Sequence, residues 1–122
     1  NPAVFTVPAN ARWRLLSLMA TFATSATVIT RRMEVMALRS AVALMRSRAE
    51  VTQIASLTRL YCCGDWTHGT VVLENLIRMN WPHGIILDGV LGDVLQLSAF
   101  NGQAGDSFTQ PALYVEEWFE RG

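Results

Sequence analysis

Apolar and polar positions alternate along most of this chain with a period of two, the pattern of half-buried strands. Ala3 to Val7 is a short alternating run stopped by Pro8-Ala9-Asn10. A longer strand is expected from Arg12 to about Thr24, then a Thr-Ser turn and another strand from Thr27 onward. Val51 to Cys63 is rich in β-branched residues, Gly64 to Gly69 reads as a loop, and Thr70 to Met79 alternates again. Trp81-Pro82-His83-Gly84 breaks the chain before a short strand from Ile85 and a Gly-Asp turn ending at Asp93. In Val94 to Phe100, Leu95, Leu97 and Ala99 share one face. After the loop Asn101–Asp106, Leu113, Val115 and Glu117 alternate with Tyr114, Glu116 and Trp118. This last pair reads as two paired strands around a wide hairpin loop whose glycines supply positive φ.

Residues 31–50 support two readings. Val35, Leu38, Val42 and Met45 fit one helical face, Arg32, Arg39 and Arg46 fit another, and Ala, Met, Leu and Arg are good helix formers. The competing reading carries a strand from Thr27 to about Leu38, turns near Arg39-Ser40 and starts a new strand at Ala41. Short strands separated by Gly, Pro, Asn and Asp make the chain all-β, an antiparallel sandwich or barrel. At 122 residues, without repeats or a linker, residues 1–122 form a single domain.

Composition adds a surface argument. The chain is 51% hydrophobic and only 16% charged, so apolar surface is expected to meet a partner. All ten basic residues are Arg, whose planar, weakly hydrated head suits protein interfaces. Net charge is zero but unevenly spread: residues 1–59 carry a formal +6 and residues 60–122 a formal −6. The halves are expected to neutralise each other within one molecule, with contact between neighbouring copies as the alternative. Nothing here favours nucleic acid, because no net positive charge exists to hold phosphates. Arg12 and Arg14 ahead of an apolar run imitate a signal peptide, but Thr and Ser interrupt the run, which is also too hydroxyl-rich for a membrane span.

Candidate chemistry is thin. Adjacent Cys62 and Cys63 point to opposite faces of a strand, cannot comfortably bridge, and read as free thiols of a reducing cytoplasm. With His68 and His83 they lack the spacing of a zinc site, and no activating motif makes either thiol a nucleophile beside Asp65. No metal, cofactor or catalytic residue is assigned. Glu117, if it faces inward, needs a partner such as an Arg. Trp66, Trp81 and His83, in loops, are candidate partner contacts, and so are Arg39, Arg46 and Arg48. The bland alternative has the tryptophans capping a sandwich core.

Val7-Pro-Ala-Asn-Ala-Arg-Trp-Arg-Leu-Leu-Ser-Leu18 resembles a "VPAN-x-x-W-x-L-L-S" opening of small virion proteins of tailed bacteriophages. The Thr-Ser-Ala-Thr-Val-x-x-Arg-Arg stretch ending at Arg32, Leu97-Ser-Ala-Phe-Asn-Gly-Gln-Ala-Gly-Asp-Ser-Phe-Thr109 and Tyr114-Val-Glu-Glu-Trp118 fit the same pattern. The likeness covers both ends of the chain and little of the middle. It implies a small, jelly-roll-like β-sandwich and favours a strand over 27–38, with a short helix or long loop inserted near 39–50. It further implies a non-enzymatic capsid decoration or cement protein, made in the host cytoplasm and placed on the capsid exterior. Such a protein binds the major capsid protein as a homo-oligomer, a dimer or trimer, with no nucleic acid and no membrane among its partners. Two other readings stand beside it: a phage tail or fibre recognition module binding a host glycan or protein through Trp66, Trp81 and His83, and a small cupin-like enzyme, which two separated histidines support poorly.

Overall fold

The computed structural model describes residues 2–64, 72–73, 76–82 and 84–119. Its strands are β1 (Ala3–Thr6), β2 (Ala11–Ala23), β3 (Arg32–Arg39), β4 (Val42–Arg48), β5 (Thr58–Gly64), β6 (Val72–Leu73), β7 (Leu76–Asn80), β8 (Ile86–Asp88), β9 (Val94–Phe100) and β10 (Ser107–Phe119). They form two sheets packed face to face, β1-β9-β3-β4 and β10-β2-β5-β7-β6, with β8 also paired to β2. The all-β sandwich expected from the alternation is what the chain adopts. Its inner faces carry Trp13, Leu15, Leu18 and Phe22 from β2, Met33, Val35 and Ala37 from β3, and Leu95 and Leu97 from β9.

β2 organises the second sheet. It pairs with β10 along its whole length on one side, and on the other with β5 over Ser17–Ala23 and β8 over Arg12–Arg14. Its buried positions fall on odd numbers up to Leu15 and on even numbers from Leu18. A register shift between Tyr114 and Val115 of β10 accounts for the change of phase: Tyr114 faces Ser17 and Val115 faces Leu15, so Leu16 is the extra residue of a bulge. A second shift, between Thr109 and Ala112, surrounds Gln110, whose φ is 50°, and Pro111.

The fold departs from the sequence expectations at six places, one of them the alternating run from Thr70 to Met79, which holds two antiparallel strands, β6 and β7. No helix or long loop interrupts 39–50. The chain turns at Ser40 and Ala41 and runs back as β4, the strand–turn–strand alternative. The helical spacing of Val35, Leu38, Val42 and Met45 misleads because β3 is buried on both faces, so its apolar residues are not confined to alternate positions. The strand expected from Thr27 begins only at Arg32, after an irregular segment bridged to Gln53 by Arg31. The strand in Val51–Cys63 likewise begins at Thr58. β9 and β10 are not a hairpin: β9 pairs with β1 and β3, β10 pairs with β2, and loop 101–106 crosses between sheets. Finally, β5 and β7 are parallel, which makes the second sheet mixed rather than antiparallel.

β4 and β7 meet across the sandwich, where Ser47 Oγ donates to the Asn80 carbonyl at 2.6 Å. The opposite ends of the two strand orders, β1 and β10, therefore flank the other side.

Candidate functional site

Each end of the sandwich is closed by a buried carboxylate placed directly before a strand. Asp93 precedes β9 and Asp106 precedes β10, and each follows a glycine with positive φ, Gly92 at 75° and Gly105 at 89°. The Gly-Asp pair turns the chain and aims the carboxylate inward. Asp106 receives Arg31 Nε at 3.0 Å and Nη2 at 3.2 Å, and the backbone N–H groups of Ser25 and Gln103 at 2.7 and 2.8 Å. Arg31, 0% exposed, also donates to the Ile29 carbonyl at 2.5 Å and to Ser25 Oγ at 3.1 Å. Burial pushes the Asp106 carboxyl up, but the two N–H groups and the Arg31 guanidinium outweigh it and hold the carboxyl below its ordinary value.

Nearby, Gln53 donates to the carbonyls of Phe22 and Leu57 and accepts from Tyr61 Oη, while Thr24 Oγ1 donates to the Ile54 carbonyl and accepts the Leu57 N–H. Segments 24–31, 49–57 and 101–106 are thereby fixed to one another. Held on this frame, Val28 is 93% exposed and Ile54 59%.

At the opposite end Arg39 closes a bidentate pair on Asp93, at 2.7 and 2.8 Å, and Asp93 also accepts the Asp88 N–H at 2.8 Å. The Arg39 hydrogen bond is the main reason that the Asp93 carboxyl is lowered. Exposed apolar side chains again cluster around the node: Val42 on β4, and Val90 and Leu91 on the 3₁₀ turn Gly89–Leu91.

The outer surface of β2 and β10 forms a third feature. Glu116 accepts Arg14 Nη1 at 2.9 Å, and the Arg14 guanidinium lies 5.3 Å from the centre of the Trp118 ring. Arg12 pairs with Asp88 at 3.6 Å. A shallow cleft of about 400 Å³ runs between Arg12, Arg14, Ile86, Trp118 and Phe119. Tyr114 and Phe119 are more than 60% exposed. Glu117 turns to the other face, where its partner is Trp13 Nε1 at 2.6 Å rather than an Arg.

The candidate contact residues do not form one site. Trp81 belongs to the core at 2% exposure, tied by its N–H to the Gly64 carbonyl, and so is a packing residue instead of a loop contact. Trp66 and His83 lie outside the described residues, as do His68 and Asp65. Arg46 and Arg48 both pair with Glu34, at 3.6 and 2.5 Å, and Arg48 also covers Phe100. With Arg39 they line the outer side and one end of the first sheet while remaining partly exposed.

The charge asymmetry resolves within the molecule: Arg12, Arg14, Arg31 and Arg39 of the basic half meet Asp88, Glu116, Asp106 and Asp93 of the acidic half. Cys62 is half-buried and Cys63 buried, both free thiols, and burial pushes Cys63 up to about 12, which leaves it protonated and unreactive. Among the described residues no group of three His, Cys, Asp or Glu side chains is placed to hold a metal, and no helix is long and apolar enough to cross a membrane. The two closing aspartates were not singled out by sequence reasoning, although the repeated Gly-Asp before a strand was there to be read. No family model, curated protein or solved structure matches this chain.

Proposed function

We propose that this chain is a non-enzymatic contact protein that binds a larger protein surface through apolar side chains held on a rigid sandwich. The observation that carries this reading is the presentation of Val28, Ile54, Val42 and Val90, each more than half exposed, on segments tied down by buried ion pairs and hydrogen bonds. Apolar groups fixed before binding lose little conformational entropy when covered, so they serve contact better than a mobile loop does. The resemblance of the Val-Pro-Ala-Asn opening and the Tyr-Val-Glu-Glu-Trp closing supports a setting on the exterior of a tailed-phage capsid. There the chain acts as a decoration or cement protein on the major capsid protein. A protein that binds only the assembled shell stabilises it by mass action.

The test mixes purified chain with expanded shells that lack it. The expected result is saturable co-sedimentation and a rise in the shell's melting temperature, both reduced by Val28→Asp combined with Ile54→Asp, or by the corresponding pair Val42→Asp and Val90→Asp. Failure to bind any shell overturns the capsid assignment. A tail or fibre role binding a host glycan now lacks Trp81, whose side chain is in the core.

A further inference from the structure

Among the described residues β10 has one neighbour, β2, so its other edge presents backbone N–H and C=O groups along a thirteen-residue strand. Natural sheets protect such edges with charge, proline or bulges. Here the first half has that protection, in the Gln110-Pro111 irregularity. The second half, Ala112 to Phe119, has no proline, and its one irregularity puts the extra residue, Leu16, on β2 and not on the edge strand. Its two acids already have partners within the chain, Glu116 in an ion pair with Arg14 and Glu117 as acceptor of the Trp13 Nε1–H. Beside them stand Tyr114 at 68%, Trp118 at 41% and Phe119 at 64% exposure.

We propose that Ala112–Trp118 pairs antiparallel with the same segment of a second copy, across a two-fold axis at Val115, so that two sandwiches share one continuous sheet. A second copy fits this edge for three reasons. A two-fold contact needs only one self-complementary patch, and an antiparallel strand is self-complementary by construction. The chain carries no net charge, so two copies approach without long-range repulsion. The register centred on Val115 is the favourable one for the side chains. It sets each Trp118 opposite the small Ala112, each Tyr114 opposite Glu116 and diagonal to Trp118, and each Leu113 opposite Glu117. A register centred one residue later would oppose Glu116 to itself, and like charges directly across a ladder are destabilising.

This pairing does not depend on the capsid role, since a dimer that binds no shell overturns only that role. Sedimentation equilibrium of the full chain is expected to give the mass of two chains, with amide exchange across 112–119 slowing as concentration rises. Tyr114→Glu places a like charge directly opposite Glu116 of the other copy and is expected to weaken dimerisation at least tenfold, about 1.4 kcal/mol, with an unchanged circular dichroism spectrum. Val115→Cys is expected to cross-link to itself under mild oxidation. Directly opposed Cα atoms of an antiparallel pair lie about 4.5–5.5 Å apart, within the roughly 4.4–6.8 Å span of a disulfide. The unsubstituted chain, with Cys62 and Cys63 in place, is the control. A chain that stays monomeric at its highest soluble concentration, a dimer that Tyr114→Glu leaves intact, or failure of Val115→Cys to cross-link overturns the proposal.

Discussion

Taking a guanidinium out of water costs several kcal/mol unless its donors find partners, and Arg31 at 0% exposure finds them on Asp106, Ile29 and Ser25. Removing the carboxylate leaves that cation buried without its counter-charge. Asp106→Ala is therefore expected to destabilise the fold by about 3–5 kcal/mol, measured by urea unfolding, whereas Arg12→Ala at the exposed pair with Asp88 should cost at most about 1 kcal/mol. Acid should act on the same groups. Asp93 and Asp106 have folded pKa values below the ordinary value of about 3.9. Their contribution is fully present above that value and is lost as pH falls through the depressed folded values. Melting temperatures are expected to hold steady down to about pH 4 and then drop, with Asp106→Asn flattening part of the drop. A wild-type melting curve independent of pH across the acid range would contradict this account of both nodes. Neither aspartate stood out in the sequence, because a carboxylate in a Gly-Asp turn looks like solvated loop. Its burial depends on Arg31 or Arg39 arriving from 54 to 75 residues away.

The elements were more legible than their joints. Strand alternation locates β2 and β9 to within a residue or two, because each buries one face, whereas of β10 it marks only 113–118, the strand being only partly buried from Ser107 on. The β3–β4 turn was obscure for a local reason: both central residues have positive φ, Ser40 at 50° and Ala41 at 64°, and neither is the Gly or Asn that marks such a turn. Holding a residue with a Cβ in the left-handed region costs about 1–2 kcal/mol. Ala41→Gly is thus expected to raise stability by about 1 kcal/mol, read as a higher denaturation midpoint at unchanged slope. A loss of stability would show that the turn has another conformation. The crossing of loop 101–106 between sheets was hidden because period and turn chemistry specify strands, not which strand each one joins. Tertiary competition decided: β1 and β3 occupy both sides of β9, leaving β10 for β2.

At the scale of the whole molecule, the sandwich was legible and the proposed contact surface only partly so. The sparse charge and all-Arg basic set pointed to apolar contact, but the exposed tips gain their rigidity from polar groups that no pattern of hydrophobicity reports. The route by which the strands are joined has a further result for how this protein is made. Trp13 on β2 meets Glu117 on β10, 104 residues later, and β1 waits for β9 in the same way. During synthesis β2 leaves the ribosome well before β10, and its apolar face stays incompletely paired until β10 arrives. Pairings this remote in sequence close slowly, on the order of milliseconds to seconds. A nascent chain stopped before β10 is accordingly expected to be aggregation-prone and protease-sensitive, and the completed chain resistant.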